Sequence, residues 1–166
     1  HMNHQARVFM ALGAKEIPEV LSRRYVFDME SKDMEWVRLR ETNGRTTITY
    51  KHKKLGNTEV GKTIEIEVEV ADFDTASEIF LKIPFKRVFY QENKNHTFHL
   101  KDIEFSIDTW PMLNPYLEIE SGSLEKVTEG LMLLGLEGRD VGDKDIETIY
   151  RDKNIDFHSF LTLKFD

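Results

Sequence analysis

The 166-residue chain contains no cysteine. Disulfides, thiolate metal sites and cysteine nucleophiles are therefore excluded, which leaves carboxylates and imidazoles as strong ligands and favours a hard cation. No apolar run approaches the roughly 20 residues that cross a bilayer as a helix, and the first residues show neither a basic leader nor the apolar stretch of a signal peptide. A soluble, cytoplasmic protein with no membrane partner is expected. Glycine-rich phosphate loops of the Walker or dinucleotide type are missing, and no serine sits in a Gly-x-Ser-x-Gly context. Basic residues are in the minority, 23 against 30 acidic ones for a net charge of -7. That argues against a nucleic-acid partner, because binding to a phosphate backbone needs a basic face. The length and a hydrophobic content of 40% suit one core. We expect a single domain over residues 3–166, with His1-Met2 read as a cloning remnant.

What the chain does have is well-marked periodicity. Val8, Phe9 and Leu12 at helical spacing, stopped by Gly13, predict a short amphipathic helix over residues 3–12. Strands are predicted over 24–28, 35–40, 46–52 and 64–70, with Asn43-Gly44 as a hairpin turn between the second and third. Phe73, Ala76, Phe80 and Ile83 predict a second helix, capped by Asp72 or Asp74 and ended by Pro84. Further strands are predicted over 86–92, 97–100, 103–109 and 116–120, with a polar turn at Asn93-Lys94-Asn95-His96. A helix opening at Ser123 carries Leu124, Val127, Leu131 and Leu134, and a shorter one covers 143–150. The tail from Ile155 reads as strand or coil. This order predicts an antiparallel α+β fold of seven to eight strands with flanking helices.

The strands carry an unusual charge pattern. Arg38 and Arg40 flank Leu39, Lys51 and Lys53 flank His52, Glu65, Glu67 and Glu69 alternate with Ile64, Ile66 and Val68, and Glu118 and Glu120 flank Ile119. Period two places each set on one strand face with one sign of charge. A solvated sheet face is the ordinary reading of any one of them. If helices cover the apolar faces, however, the charged faces together form a cavity with a cationic and an acidic wall, suited to a polyphosphate and the divalent ions that bridge to it. His52, His96 and His99 lack metal-ligand spacing and read as structural. Trp36 and Trp110 read as packing between sheet and helices.

The ordered pieces Trp36-Val-Arg-Leu-Arg40, Thr49-Tyr-Lys-His-Lys53, residues 64–70, Tyr90-Gln-Glu-Asn93, Ile107-Asp-Thr-Trp-Pro111 and Leu117-Glu-Ile-Glu120 resemble the CYTH superfamily, the class IV adenylyl cyclases and thiamine triphosphatases also called triphosphate tunnel metalloenzymes. The resemblance implies an antiparallel β-barrel that binds a triphosphate-containing small molecule with Mg²⁺ or Mn²⁺ and hydrolyses or cyclises it. By position, Arg38, Arg40, Lys51, Lys53 and Lys94 would bind phosphate, and Glu65, Glu67, Glu118, Glu120 and Asp108 would hold metal. Two departures stand out. The family opens with a Glu-x-Glu-x-Lys strand that is not seen before the first helix here, and Asn95 stands where the matching branch has an arginine. The first implies an open sheet edge through which a second copy would pair as a homodimer. Enzyme and non-catalytic binding module both remain open on these residues.

Overall fold

A computed structural model describes residues 4–53, 64–142 and 144–166, with side chains from Ala6 onward. The glycine-containing stretch around Gly56 and Gly61 lies outside them. The elements run α1 (His4–Ala11), β1 (Lys15–Asp28), β2 (Met34–Thr42), β3 (Arg45–Lys53), β4 (Ile64–Val70), α2 (Phe73–Phe80), β5 (Arg87–Leu100), β6 (Ile103–Thr109), β7 (Tyr116–Ser121), α3 (Leu124–Leu133), α4 (Ile146–Asp152), a 3₁₀ turn (Phe157–Ser159) and β8 (Thr162–Leu163). The sheet has eight strands in the order β4-β3-β2-β1-β5-β6-β7, with β8 added in parallel to β5. Strands β1 to β4 pair antiparallel in sequence, as do β5, β6 and β7. This is the expected α+β class.

Two compact units divide the chain, His1–Val20 with Lys94–Phe157 and Leu21–Asn93 with His158–Asp166. In the second unit, Val37, Leu39 and Ile48 join Phe27 and Val70 on one sheet face, and α2 lays Phe73, Ala76 and Phe80 over them. Asp72 starts that helix by accepting the Thr75 backbone N–H. Asn43 and Gly44 turn β2 into β3 with φ of 51° and 75°. Two successive positive φ values are the two-residue hairpin signature that an Asn-Gly pair tolerates.

The first unit repeats the arrangement with different helices. Phe98, Ile103, Phe105 and Ile107 form the buried face, and Ala6 and Phe9 of α1 pack on it. The Phe9 ring stacks on Phe98 at 4.7 Å and tilts against Phe105 at 4.9 Å. Helix α1 ends at Gly13, whose φ of 80° lets Ala14 N–H return to the Phe9 carbonyl at 3.0 Å. Helix α3 comes close to the sheet through Gly130, where a Cβ would stand 3.1 Å from Ile119 and 3.2 Å from Phe105.

Two expectations are corrected. The predicted 24–28 strand starts nine residues earlier, at Lys15. Pro18 and the broken alternation of Glu19-Val20-Leu21-Ser22-Arg23 hide the strand from a propensity argument. The turn expected at Asn93–His96 does not form, since β5 is one continuous strand of 14 residues. Its polar side chains find partners across the sheet instead: Asn93 accepts from Arg24, Asn95 donates to Asp108, and His96 meets Glu16 at 2.7 Å. Those contacts remove the reason for polar residues to bend the backbone.

Candidate functional site

In the second unit, helix α2 covers the face carrying Val37, Leu39 and Ile48, so the alternate residues of β2, β3 and β4 look the other way. The register sets them in three rows: Trp36, Lys51 and Glu65; Arg38, Thr49 and Glu67; Arg40, Thr47 and Glu69. Arg24 adds to the last row from β1, opposite Arg40. Lys53 continues the face at the exposed end of β3. Six of the predicted residues, Arg38, Arg40, Lys51, Lys53, Glu65 and Glu67, are thus brought onto one surface, cations on β2 and β3 and carboxylates on β4. Trp36 shares this charged face instead of packing under α2.

The rows differ in how charge is balanced. Lys51 Nζ meets Glu65 at 3.0 Å, and Arg45 meets Glu69 at 2.8 Å. Arg38 stands 3.9 Å from Glu67, with the fully buried Thr49 hydroxyl between them. That hydroxyl donates to Glu67 Oε2 at 2.7 Å and accepts from Arg38 Nη2 at 3.4 Å. The Thr49 hydrogen bond, before any charge effect, holds the Glu67 carboxyl below its usual range. Burial pulls the Arg38 guanidinium down, and neighbouring Arg40 adds to that against the opposing pull of Glu65 and Glu67. Arg38 Nε and Thr47 Oγ1 are buried with no hydrogen-bond partner among the described residues. A desolvated cation with an unsatisfied N–H is a receptor for an anion.

The first unit carries the remaining predicted residues. Asp108 pairs with Asn95 and Tyr116, Ser106 with Thr97 and Glu118, and Glu104 with His99 and Glu120, all on the face away from α1 and α3. Asp108 is buried and its Oδ1 accepts from Ser106 Oγ at 2.7 Å and from Asn95. Glu118 and Glu120 are exposed. Lys94 lies opposite Thr109 and, by strand alternation, on the face of His96 and Phe98 and not on that of Asp108. Burial, reinforced by Asp108 and Glu118, pushes the Tyr116 hydroxyl well above its usual range. The three histidines weighed as ligands each meet a carboxylate: His52 with Asp33 at 2.9 Å, His96 with Glu16, and His99 with Glu104 at 3.6 Å. Trp110 is buried and edges onto Phe157.

Among the described residues no three Asp, Glu or His side chains converge as a ready metal cage. The donors are still of the right kind. Magnesium keeps most of its waters and takes one or two carboxylates plus substrate phosphates, so alternate glutamates beside a desolvated arginine fit it without a preformed cage. Reading only same-sign charges at spacing two misses Thr47, Thr49, Arg24 and Tyr116. Thr47 and Thr49 could have been found, since they share the parity of Lys51.

Comparison with known proteins agrees with this geometry. The CYTH domain model matches residues 19–145. A candidate adenylate cyclase of Methanocaldococcus jannaschii is 31% identical over 131 residues, which cover 73% of this chain and 74% of that protein. Among solved structures, a Pyrococcus horikoshii protein superposes with a TM-score of 0.60 at 23% identity, covering 87% of this chain and 92% of its own. A candidate adenylate cyclase from Vibrio parahaemolyticus gives 0.60 at 11% identity over 91% and 93%. A candidate adenylyl cyclase from Hippeastrum, described as having a dominant triphosphatase activity, gives 0.54 at 15% identity over 91% of both chains. The structural likenesses are of fold. Together with the sequence matches they mean that the chain belongs to the CYTH domain family.

Proposed function

We propose that this protein binds a triphosphate, as a nucleoside triphosphate, thiamine triphosphate or inorganic tripolyphosphate, and hydrolyses it with a divalent metal. The observation that carries this reading is the buried Nε of Arg38, without a partner among the described residues, on a face where Arg40, Lys51 and Lys53 supply further cations. Guanidinium groups bind phosphate oxygens through paired N–H donors, and a partly desolvated one gains most from doing so. Arg38 and Arg40 would bind and orient the chain of phosphates, and Lys51 and Lys53 would neutralise it as point charges. Glu65 and Glu67 would hold Mg²⁺ or Mn²⁺; in the other unit, taken by itself, Glu118, Glu120 and Asp108 are the carboxylates to which the family resemblance gives that role. When bound, such a metal offsets phosphate charge and lowers the pKa of a coordinated water. Family membership supports the substrate class. Hydrolysis is preferred over cyclisation because the structural neighbour from Hippeastrum is described by its triphosphatase activity.

A second reading, binding without turnover, is favoured by one observation: Asp108 Oδ1 is already occupied by Ser106 and Asn95. A single experiment separates these readings. Purified protein is incubated with tripolyphosphate or ATP and Mg²⁺ or Mn²⁺, following orthophosphate, cyclic nucleotide and melting temperature. Orthophosphate release that stops on chelation is the expected outcome. Stabilisation without product selects the binding module, a cyclic product selects the cyclase, and absence of both binding and turnover sinks the proposal.

A further inference from the structure

On the first of the three rows that cross β2, β3 and β4, cation and carboxylate close on each other directly, Lys51 on Glu65 at 3.0 Å; on the third, Glu69 is taken at 2.8 Å by Arg45, from outside the row, and the Thr47 hydroxyl has no partner among the described residues. The middle row does not close. Thr49 takes the central place, with both neighbours in register on either side. A hydroxyl has one donor and two acceptor lone pairs, so it serves a guanidinium and a carboxylate at once. Here it does both, and the two charged groups stay 3.9 Å apart.

We propose that Thr49 is a positioning residue that keeps Arg38 and Glu67 separate, leaving the guanidinium for a phosphate and the carboxylate for a divalent cation. The inference rests on the function proposed above. Without the hydroxyl, Arg38 and Glu67 would close into a charge-assisted pair, and each would spend on the other the hydrogen-bonding capacity that a metal-phosphate ligand needs. Thr49 is fully buried, so no bulk water replaces its oxygen. Hydroxyls that orient ligand-bearing side chains carry much of a metal site's affinity, and their removal costs about 10–100-fold.

The test is calorimetric titration of tripolyphosphate into wild type, Thr49→Val and Thr49→Ser across a series of Mn²⁺ concentrations and with chelator, alongside melting temperatures. Thr49→Val keeps the shape and loses the hydroxyl. It should raise the Mn²⁺ concentration for half-maximal tripolyphosphate affinity about 10–100-fold, while Thr49→Ser stays near wild type. If Thr49→Val does not fold, Thr49→Ala against Thr49→Ser carries the same comparison. A hydroxyl-free variant with wild-type Mn²⁺ dependence overturns the inference alone, and so does a folded Thr49→Ser that fails equally. A wild type that binds no tripolyphosphate overturns the proposed function and this inference with it.

Discussion

Replacing Arg38 by methionine should move stability and binding in opposite directions. The Arg38 side chain is 17% exposed, its Nε has no partner among the described residues, and its ion pair with Glu67 spans 3.9 Å. Removing an unsatisfied buried donor relieves about 1–3 kcal/mol. Losing a long, partly exposed ion pair costs about 0–1 kcal/mol. Methionine fills the vacated space with an unbranched apolar chain. The ligand-free variant should therefore be as stable as the wild type or more stable by up to about 3 kcal/mol. Charge-assisted hydrogen bonds to phosphate are worth about 1.5–3 kcal/mol, so tripolyphosphate affinity should fall about 10–150-fold. Urea unfolding of the free protein and calorimetric titration with tripolyphosphate read the two terms separately. A variant that loses more than about 2 kcal/mol of stability while keeping its affinity would refute the reasoning, because Arg38 would then be a structural cation.

Other sites give independent checks. Phe9→Ala removes a fully buried ring that stacks on Phe98 and tilts against Phe105, and should cost about 3–5 kcal/mol in denaturant unfolding; a loss below about 1 kcal/mol would mean that α1 does not hold the first unit's core. Tyr150→Phe leaves the Pro111 carbonyl without its 2.6 Å buried donor and should cost about 1–3 kcal/mol. Burial raises the Tyr150 hydroxyl above its ordinary pKa of 10.0, so its contribution is complete below pH 10 and is lost as the pH rises through the folded-state value. The wild type should therefore unfold more readily in alkali, and Tyr150→Phe should flatten that limb; an unchanged limb counts against the assignment. The Asp72 cap works at the other end of the scale, because hydrogen bonds from the Thr75 side chain and, next, from the Thr75 backbone N–H lower its pKa from 3.8. Its contribution is present above that value and fades as the pH falls through the lowered one, so the melting-temperature gap between wild type and Asp72→Ala should close in acid. A gap that persists would show that the cap does not act through its charge.

Much of the fold was legible because the signals were local. Strand β4 matches its predicted range of 64–70, where strict alternation leaves one reading. The Asn43-Gly44 turn was equally plain, since few other dipeptides accept two positive φ values. Strand β5 was not legible, because Asn93-Lys94-Asn95-His96 has turn composition and only partners distant in sequence, Arg24, Asp108 and Glu16, make it extended. Lys94 shows the consequence for the site: one unbroken strand fixes its parity, and that puts it on the face opposite Asp108. Trp36 was misread for a related reason, as its size suggested packing while its parity placed it beside Arg38.

The sequence alone determined the charged strand faces and their signs, because side-chain parity along a strand follows from a backbone period of two and needs no knowledge of the neighbours. It also determined the helices that cover the opposite faces, through apolar residues at helical spacing. Only tertiary structure decided which charges cancel and which stay available. That depends on cross-strand register, and register set Lys51 against Glu65 yet placed the Thr49 hydroxyl between Arg38 and Glu67.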